Sequence, residues 1–243
     1  FVFASSCSIY GSGGILAKKE DDEINPLTPY AQSKISSEDS LKLLADEDFH
    51  VTCLRFATAC GASPRMRLDL VLNDFVASAL INRKIEILSD GSPLRPLIDV
   101  KDMAKAFYWA LKRSTNDNSY FLKINVGSNN WNFSVIELSE NVKECLPGVD
   151  IVVNEDAQPA KRSYKVDFSL YKKLSGSFYP KSRLSDAIEE IAKCIENSNL
   201  SLEDFRSGHL MRLNTLLQLQ EVGALDKNLY WNNESKNELF KNL

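Results

Sequence analysis

Apolar and β-branched runs alternate with amphipathic stretches through the first half of the chain. Such alternation is typical of a mostly parallel sheet covered by helices, because parallel strands need crossover connections between them. The pattern therefore predicts an α/β fold. The predicted strands are residues 1–4, 51–56, 84–88 and 120–126, and the predicted helical stretches are residues 33–44, 68–80 and 101–112.

The pattern changes after Gly127, where helices dominate. Ser134 and Glu137 have the spacing of a capping box, in which each residue satisfies a free N–H group of the other at the start of a helix. Gly223 is a helix stop signal further on. We therefore expect a second, smaller and mostly helical part. Its predicted helices are residues 134–146, 184–195 and 202–219.

Composition and charge limit the kinds of function and partner that are expected for this chain. The chain has 243 residues with 44% hydrophobic content, which is enough to bury a large core. Its 29 basic and 33 acidic residues give a net charge of −4, which disfavours nucleic acid and anionic membranes as partners. The apolar runs are too short to span a bilayer. Five scattered cysteines without a C-x-x-C spacing indicate a reducing cytoplasm and no metal site.

A tyrosine and a lysine four residues apart are the first candidate for chemistry. Thr28 and Pro29 predict a helix start, so Tyr30 lies in the first turn and Lys34 one turn further on the same face. A phenol is a weak base at neutral pH, and a nearby ammonium favours its ionised form. The spacing alone is weak, because Tyr108 and Lys112 repeat it on another predicted helix.

The first predicted strand supplies the context that separates the two pairs. Parallel sheets bind ligands beyond the carboxyl ends of their strands, and this strand ends in small hydroxyl residues. Ser6 is placed to donate a hydrogen bond to the substrate oxygen that Tyr30 deprotonates. Taken singly, each residue also has a structural interpretation: Ser6 as a turn cap, Tyr30 at the edge of the core and Lys34 as a solvated charge. The charged run at residues 18–23 is interpreted as a solvated loop.

Several segments together resemble a known family. Residues 5–11 (Ser-Ser-Cys-Ser-Ile-Tyr-Gly) and 25–34 (Asn-Pro-Leu-Thr-Pro-Tyr-Ala-Gln-Ser-Lys) are similar to the serine motif and the Tyr-x-x-x-Lys motif of NAD-dependent epimerase/dehydratases, which are extended short-chain dehydrogenase/reductases. Residues 54–61 and 90–102 continue the resemblance. It implies a partial Rossmann-like parallel sheet over residues 1–127, with residues 61–98 contributing to the substrate side. Residues 128–243 would form the substrate-binding domain.

The resemblance also implies roles, position by position. Ser6, Tyr30 and Lys34 become catalytic, and Tyr30, Lys34 and Ser5 contact the cofactor. Arg95 falls where the family's arginine meets the substrate diphosphate, which suits a forked guanidinium. The other predicted substrate-binding residues are Asn73, for which an exposed helix position is an equal alternative, Arg162 as a second phosphate contact and Thr58 near the sugar. Arg65 and Arg67 add positive charge beside them.

The sequence differs from the family's pattern at positions that affect the predicted function. Residues 11–14 do not form the family's glycine-rich turn, so we expect the half of the domain before Phe1 to be missing and this piece to bind its cofactor weakly. The cofactor is expected to be NAD, with NADP not excluded, and the substrate a nucleotide sugar.

Cys7 and Ser8 stand where dehydratases carry Asp and Glu, which disfavours dehydration. The predicted reaction is therefore epimerisation. A sugar reductase or dehydrogenase is the second prediction, and a noncatalytic remnant that binds a sugar nucleotide is the alternative from another functional class. A homodimer through a helix bundle is implied by the resemblance alone.

Overall fold

The computed structural model describes residues 1–12, 14, 16–113, 119–154, 156–157, 163–198, 205 and 210–232. Its strands are β1 (Val2–Ser6), β2 (Val51–Phe56), β3 (Thr58–Cys60), β4 (Lys84–Ile87), β5 (Leu94–Asp99), β6 (Phe121–Val126), β7 (Asn132–Ser134) and β8 (Asp150–Val153). Its helices are α1 (Pro29–Leu44), α2 (Val71–Asn82), α3 (Val100–Lys112), α4 (Val135–Cys145), α5 (Ser169–Ser175), α6 (Leu184–Asn197) and α7 (Arg212–Glu221). The predicted α/β class is confirmed.

A parallel sheet with the strand order β1-β2-β6 carries the first half of the fold. Each residue of β1 pairs with one of β2 up to Ser6 beside Phe56, and β2 pairs with β6 up to Phe56 beside Val126. The three carboxyl ends therefore coincide. All six residues of β2 are buried, as expected for a central parallel strand covered on both faces.

Two smaller sheets complete the strand pairing. In the first, β5 is central, parallel to β3 and antiparallel to β7. In the second, β4 runs parallel to β8. Since β7 and β8 come late in the chain and β3 to β5 come early, these sheets join the two parts of the sequence.

The described residues build two hydrophobic cores. One lies around the three-stranded sheet and includes Leu54, Ile124 and Phe168. The other is formed by α2, β4, α4 and α6 and includes Leu72 and Ile188. The segment from β3 to β4 thus packs mainly with the later helices, although its sequence lies within the first 127 residues. The domain boundary at residue 127 stays a prediction.

Local signals explain where several helices begin. The Thr28 side chain accepts from the Ala31 N–H at the start of α1, with Pro29 at the first helical position. Ser134 and Glu137 form the reciprocal capping box of α4. The buried positions of α6 recur every three or four residues, which makes one apolar stripe. The predicted helix at 202–219 is interrupted, because residues 210 and 211 form a turn and a bend before α7 begins at Arg212. Phe205 is helical, and residues 201–204 and 206–209 lie outside the described residues.

Within the described ranges, the helices are too short or too polar to cross a bilayer.

Candidate active site

The side chains of Tyr30 and Lys34 lie together at the start of α1. The Lys34 Nζ atom is 5.4 Å from the centre of the Tyr30 ring, and the Tyr30 side chain is 54% exposed. The other pair of this spacing is similar in local geometry, with Lys112 Nζ 4.6 Å from the centre of the Tyr108 ring. Position in the fold, and not the pair itself, must therefore distinguish them.

The ammonium group of Lys34 lies against β1. It donates to the Ala4 carbonyl at 2.9 Å and lies 4.9 Å from the centre of the Phe3 ring. Thr52 of β2 donates to the carbonyl of Phe1, and carbonyls alternate in direction along a strand, so the Ala4 carbonyl points to the side of β1 away from β2. Lys34 thus reaches that edge two residues before the strand ends.

Ser6 is the last residue of β1 and is half-buried. Its Oγ accepts from the Ser8 N–H at 3.1 Å and so caps the short 3-10 helix Cys7–Tyr10. This is the turn-cap role considered from the sequence. The cap uses an acceptor lone pair, which leaves the hydroxyl hydrogen available to an oxygen atom beyond the strand end. The capping and functional roles are therefore compatible.

Arg67 lies in the loop before α2. Its guanidinium binds Asp69 through two hydrogen bonds, at 2.9 and 2.5 Å. The bonds to Asp69 are the main reason that the pKa of Arg67 lies above its ordinary value. The cation of this loop is thus held in an ion pair with Asp69.

Ser5 lies beside Ser6 but points into the protein. Its side chain is 3% exposed in total, and its hydroxyl donates to Glu38 of α1. Glu38 also forms a buried ion pair with Arg55 of β2, with Nη2 and Oε2 2.6 Å apart. Burial by itself lowers the pKa of Arg55, but the hydrogen bonds and charge of Glu38 outweigh it, and the net pKa lies above the ordinary value. The Ser5 hydroxyl is therefore already engaged within the protein.

The sequence analysis missed Glu38 and Arg55. A signal was present, because Arg55 interrupts the apolar strand between Leu54 and Phe56, and charged residues are buried almost only when paired. Glu20 was also misjudged. Although the run at 18–23 was expected to be solvated, Glu20 is 9% exposed and its carboxylate accepts from the Asn125 N–H at 3.0 Å. Burial raises the pKa of Glu20 above its ordinary value.

The predicted substrate-side residues lie on neighbouring elements. Thr58 and Arg95 are on the paired strands β3 and β5. Asn73 is 2% exposed, so the alternative of an exposed helix position is wrong. Its Oδ1 accepts from the Gly61 N–H at 3.1 Å, and its Nδ2 donates to the Arg67 carbonyl at 3.0 Å. Asn73 therefore holds the loop between β3 and α2.

A third segment links the strand end to Arg95. Ser163 accepts from the Leu94 N–H at 3.0 Å, directly beside Arg95, and forms a parallel bridge with Ser12 in the loop after β1. Arg162 itself lies outside the described residues. The structure thus places Lys34, with Tyr30 beside it, against β1, and Ser5 and Ser6 at the end of that strand. The loop after β1 is connected to the strand of Arg95.

A cavity of about 450 Å³ lies between α2, β4 and the start of α4. Its lining includes Asp69, Phe75 and Leu88. Of these, Asp69 is the ion-pair partner of Arg67. A second cavity of about 560 Å³ is lined by Glu38, Arg55 and residues 20–24.

Comparison with known proteins identifies the family. The model of the NAD dependent epimerase/dehydratase family matches residues 1–127. The chain belongs to this family. Its parallel sheet is accordingly Rossmann-like, and the resemblance inferred from the serine and Tyr-x-x-x-Lys motifs is confirmed.

Individual relatives agree with this membership. The putative UDP-glucose 4-epimerase of Methanocaldococcus jannaschii is 28% identical over 201 residues, which cover 82% of this chain and 63% of that protein. The UDP-glucose 4-epimerase of Bacillus subtilis is 30% identical over 158 residues, covering 56% and 45%. The structure of MoeE5 in complex with UDP-glucose and NAD is 27% identical with a TM-score of 0.67, covering 82% and 65%. The chain thus spans less than two thirds of the length of each of these relatives.

Proposed function

We propose that the protein containing this chain is an NAD-dependent epimerase of nucleotide sugars, and that the chain supplies its acid/base and sugar-binding side chains. The observation that carries the proposal is the Tyr30–Lys34 pair at the carboxyl end of β1, where Lys34 binds Ala4 and Ser6 ends the strand. Relatives named as UDP-glucose 4-epimerases, and the MoeE5 complex with UDP-glucose and NAD, support the substrate class and the cofactor.

The residues of this chain fit one end of NAD. An ammonium group can donate three hydrogen bonds. Lys34 donates one of them to the Ala4 carbonyl, so two can be donated to the hydroxyl groups of a ribose. Residues 11–14 do not suit the pyrophosphate, because the next helix in the described chain, α1, begins only at Pro29. When bound, NAD would accept a hydride from the sugar and return it.

The side chains have separate tasks in the proposed reaction. Tyr30 takes the proton of a sugar hydroxyl as the hydride leaves the same carbon, and it gives the proton back when the hydride returns to the other face of the keto sugar. Lys34 places its ammonium group beside the phenol, with Nζ 5.4 Å from the centre of the Tyr30 ring, and the Ser6 hydroxyl donates to the sugar oxygen on which charge develops. Proton and hydride are both restored, so the net reaction inverts one carbon.

We place the nucleotide sugar beyond the carboxyl end of β1, where parallel sheets bind their ligands. Arg95 and Thr58 are the proposed contacts to diphosphate and sugar, and Arg162 a further phosphate contact. Asn73 would act through the loop that it holds. The Ser5 contact with the cofactor and the homodimer through a helix bundle stay predictions.

Substitution of Tyr30 tests the proposal in the full-length protein. With NAD and UDP-glucose, Tyr30→Phe is expected to lower turnover about 10²–10⁴-fold, because the proton acceptor is lost, while the affinity for UDP-glucose is kept. Formation of the C4 epimer is followed by NMR, and affinity by isothermal titration calorimetry.

Tyr108→Phe is the matched control, because it removes the same hydroxyl from a pair of the same spacing. Equal loss in both variants, or full activity in Tyr30→Phe, would refute the mechanism. Net reduction of NAD in step with product would indicate the dehydrogenase instead. Binding of UDP-glucose without NAD binding or turnover would indicate the noncatalytic remnant.

A further inference from the structure

Three polar side chains form a row across the parallel sheet, one residue before its carboxyl edge. Ser5 is paired in register with Arg55, and Arg55 with Asn125. Their exposed fractions are 3%, 4% and 0%. The interior of a parallel sheet is ordinarily apolar, and burying a guanidinium there is costly unless it is fully paired. A row of this kind indicates a requirement other than simple packing.

The carboxylate of Glu38 accepts hydrogen bonds from two members of this row, Ser5 and Arg55. Glu38 lies on α1, one turn after Lys34, and accepts from the Ser5 hydroxyl. Arg55 donates to it through Nε at 3.0 and 3.1 Å and through Nη2 at 2.6 Å. One carboxylate thus joins α1 to two strands. Because Lys34 also binds Ala4, two successive turns of the helix are attached to two successive residues of β1.

The opposite side of the guanidinium is equally occupied. Arg55 Nη1 donates to the Glu20 carbonyl at 2.8 Å and to the Tyr10 hydroxyl at 3.3 Å. The Tyr10 oxygen is in turn 2.8 Å from Oδ1 of Asn125. Arg55 donates hydrogen bonds to Glu38 on one side and to Glu20 and Tyr10 on the other, so it cannot shift without losing several of them. The position of the Glu38 carboxylate relative to the sheet is therefore fixed.

We propose that Ser5, Glu38 and Arg55 are positioning residues that hold α1 in register with β1, so that Tyr30 and Lys34 meet Ser6. This rests on the proposed function. A buried ion pair contributes little net stability compared with apolar side chains of the same volume, and its better-supported use is to select one arrangement among several. Here the arrangement selected is the one that places both working side chains of α1 at the end of β1. Ser5 then serves the helix and not the cofactor.

Labelling of lysine amines tests the positioning without requiring activity. The chain is treated with a low concentration of an acetylating reagent, and the rates at Lys34 and Lys112 are measured by mass spectrometry. Lys112 is the internal reference, because it belongs to the other tyrosine–lysine pair. Glu38→Gln and Ser5→Ala are expected to raise the Lys34/Lys112 ratio several-fold as the Ala4 bond loosens. Ser40→Ala, which removes a hydroxyl that donates to the Ser36 carbonyl within α1, should leave the ratio unchanged.

Kinetics of the full-length protein supply the second measurement. Glu38→Gln and Ser5→Ala are expected to lower kcat about 10–100-fold, because misplacement of reacting groups by about 1 Å has effects of this size. Since Lys34 is also the proposed contact to the ribose of NAD, any rise in the KM for NAD should accompany this loss of kcat. If Ser5 contacts the cofactor instead, Ser5→Ala raises the KM for NAD and keeps kcat.

The outcomes separate the two proposals. An unchanged Lys34/Lys112 ratio in both variants, or a rise in KM for NAD with kcat retained, overturns the positioning role. If the wild-type protein converts no nucleotide sugar, the proposed function fails, while the labelling ratio still decides whether Glu38 and Ser5 hold Lys34 in place. Ser5→Ala keeps the test usable if Glu38→Gln does not fold, because it leaves the ion pair intact.

Discussion

Gly127, the residue directly after β6, lies close to the ring of Phe168. A Cβ atom added at Gly127 would lie 2.6 Å from two ring carbons, Cε1 and Cζ, and 3.1 Å from Cδ1. Carbon atoms in contact are ordinarily about 3.5–4.0 Å apart. Phe168 is fully buried and cannot swing into solvent. Gly127→Ala must therefore displace the ring or the strand end by roughly 1 Å.

The expected cost follows from two opposing effects. Overpacking of this kind costs about 2–3 kcal/mol, within the usual range for enlarged core residues. Replacing glycine also reduces the entropy of the unfolded chain, which contributes about 0.4–1 kcal/mol in the other direction. Gly127→Ala should thus lower the free energy of unfolding by about 1–2.5 kcal/mol. Urea denaturation followed by circular dichroism measures this value, provided that the slope m is unchanged.

A second substitution shows whether the ring is the cause. Phe168→Leu alone should cost about 1–2 kcal/mol through lost contacts. In the Gly127→Ala background it should cost clearly less, because the shorter side chain makes room for the new methyl group. Strict additivity of the two changes, or a Gly127→Ala variant as stable as wild type, would refute the steric argument.

Two further predictions concern a helix cap and a buried acid. Ser134→Ala should lower the free energy of unfolding by about 1 kcal/mol in urea denaturation, because the capping box with Glu137 is lost, while Ser134→Thr should keep most of it; equal losses in both would contradict the capping role. Burial raises the pKa of Glu20, so the folded state binds its proton more tightly than the unfolded state, and the contribution of Glu20 to stability falls as pH rises from 4.5 through the raised pKa. Glu20→Gln keeps the acceptor for the Asn125 N–H and removes this cost, so its Tm should match that of wild type at acid pH and exceed it at pH 7; a difference independent of pH would count against it.

Elements with strong local signals were predicted well. The strand at 51–56 and the helices opened by Thr28 and Ser134 are present at the expected places, because their apolar spacing and caps act within one or two turns of chain. In contrast, β5 was missed. It contains Pro96, which argues against a central strand, yet it lies between β3 and β7. Its antiparallel partner β7 has only three residues, so neither strand has a clear pattern of its own.

The candidate site shows the same division. The spacing of Tyr30 and Lys34 follows from helical geometry, and the sequence context of Ser6 distinguished this pair from Tyr108 and Lys112. The burial of Asn73 and Glu20 could not be predicted from the local sequence. Each is polar and lies in a segment where solvent exposure is the ordinary expectation, and only the packed neighbours provide their hydrogen-bond partners.

What the sequence by itself determined are the properties that depend on near neighbours in the chain: the helix starts, the strand that ends in Ser5 and Ser6, and the alignment of Tyr30 with Lys34. Only the tertiary structure decided which way Ser5 points and what Arg55 binds. The partners of these groups are distant in sequence, 33 residues between Ser5 and Glu38 and 17 between Glu38 and Arg55. They meet because β1 and β2 pair in one register beneath α1, and that register is set by burial across the whole sheet and not by any local pattern.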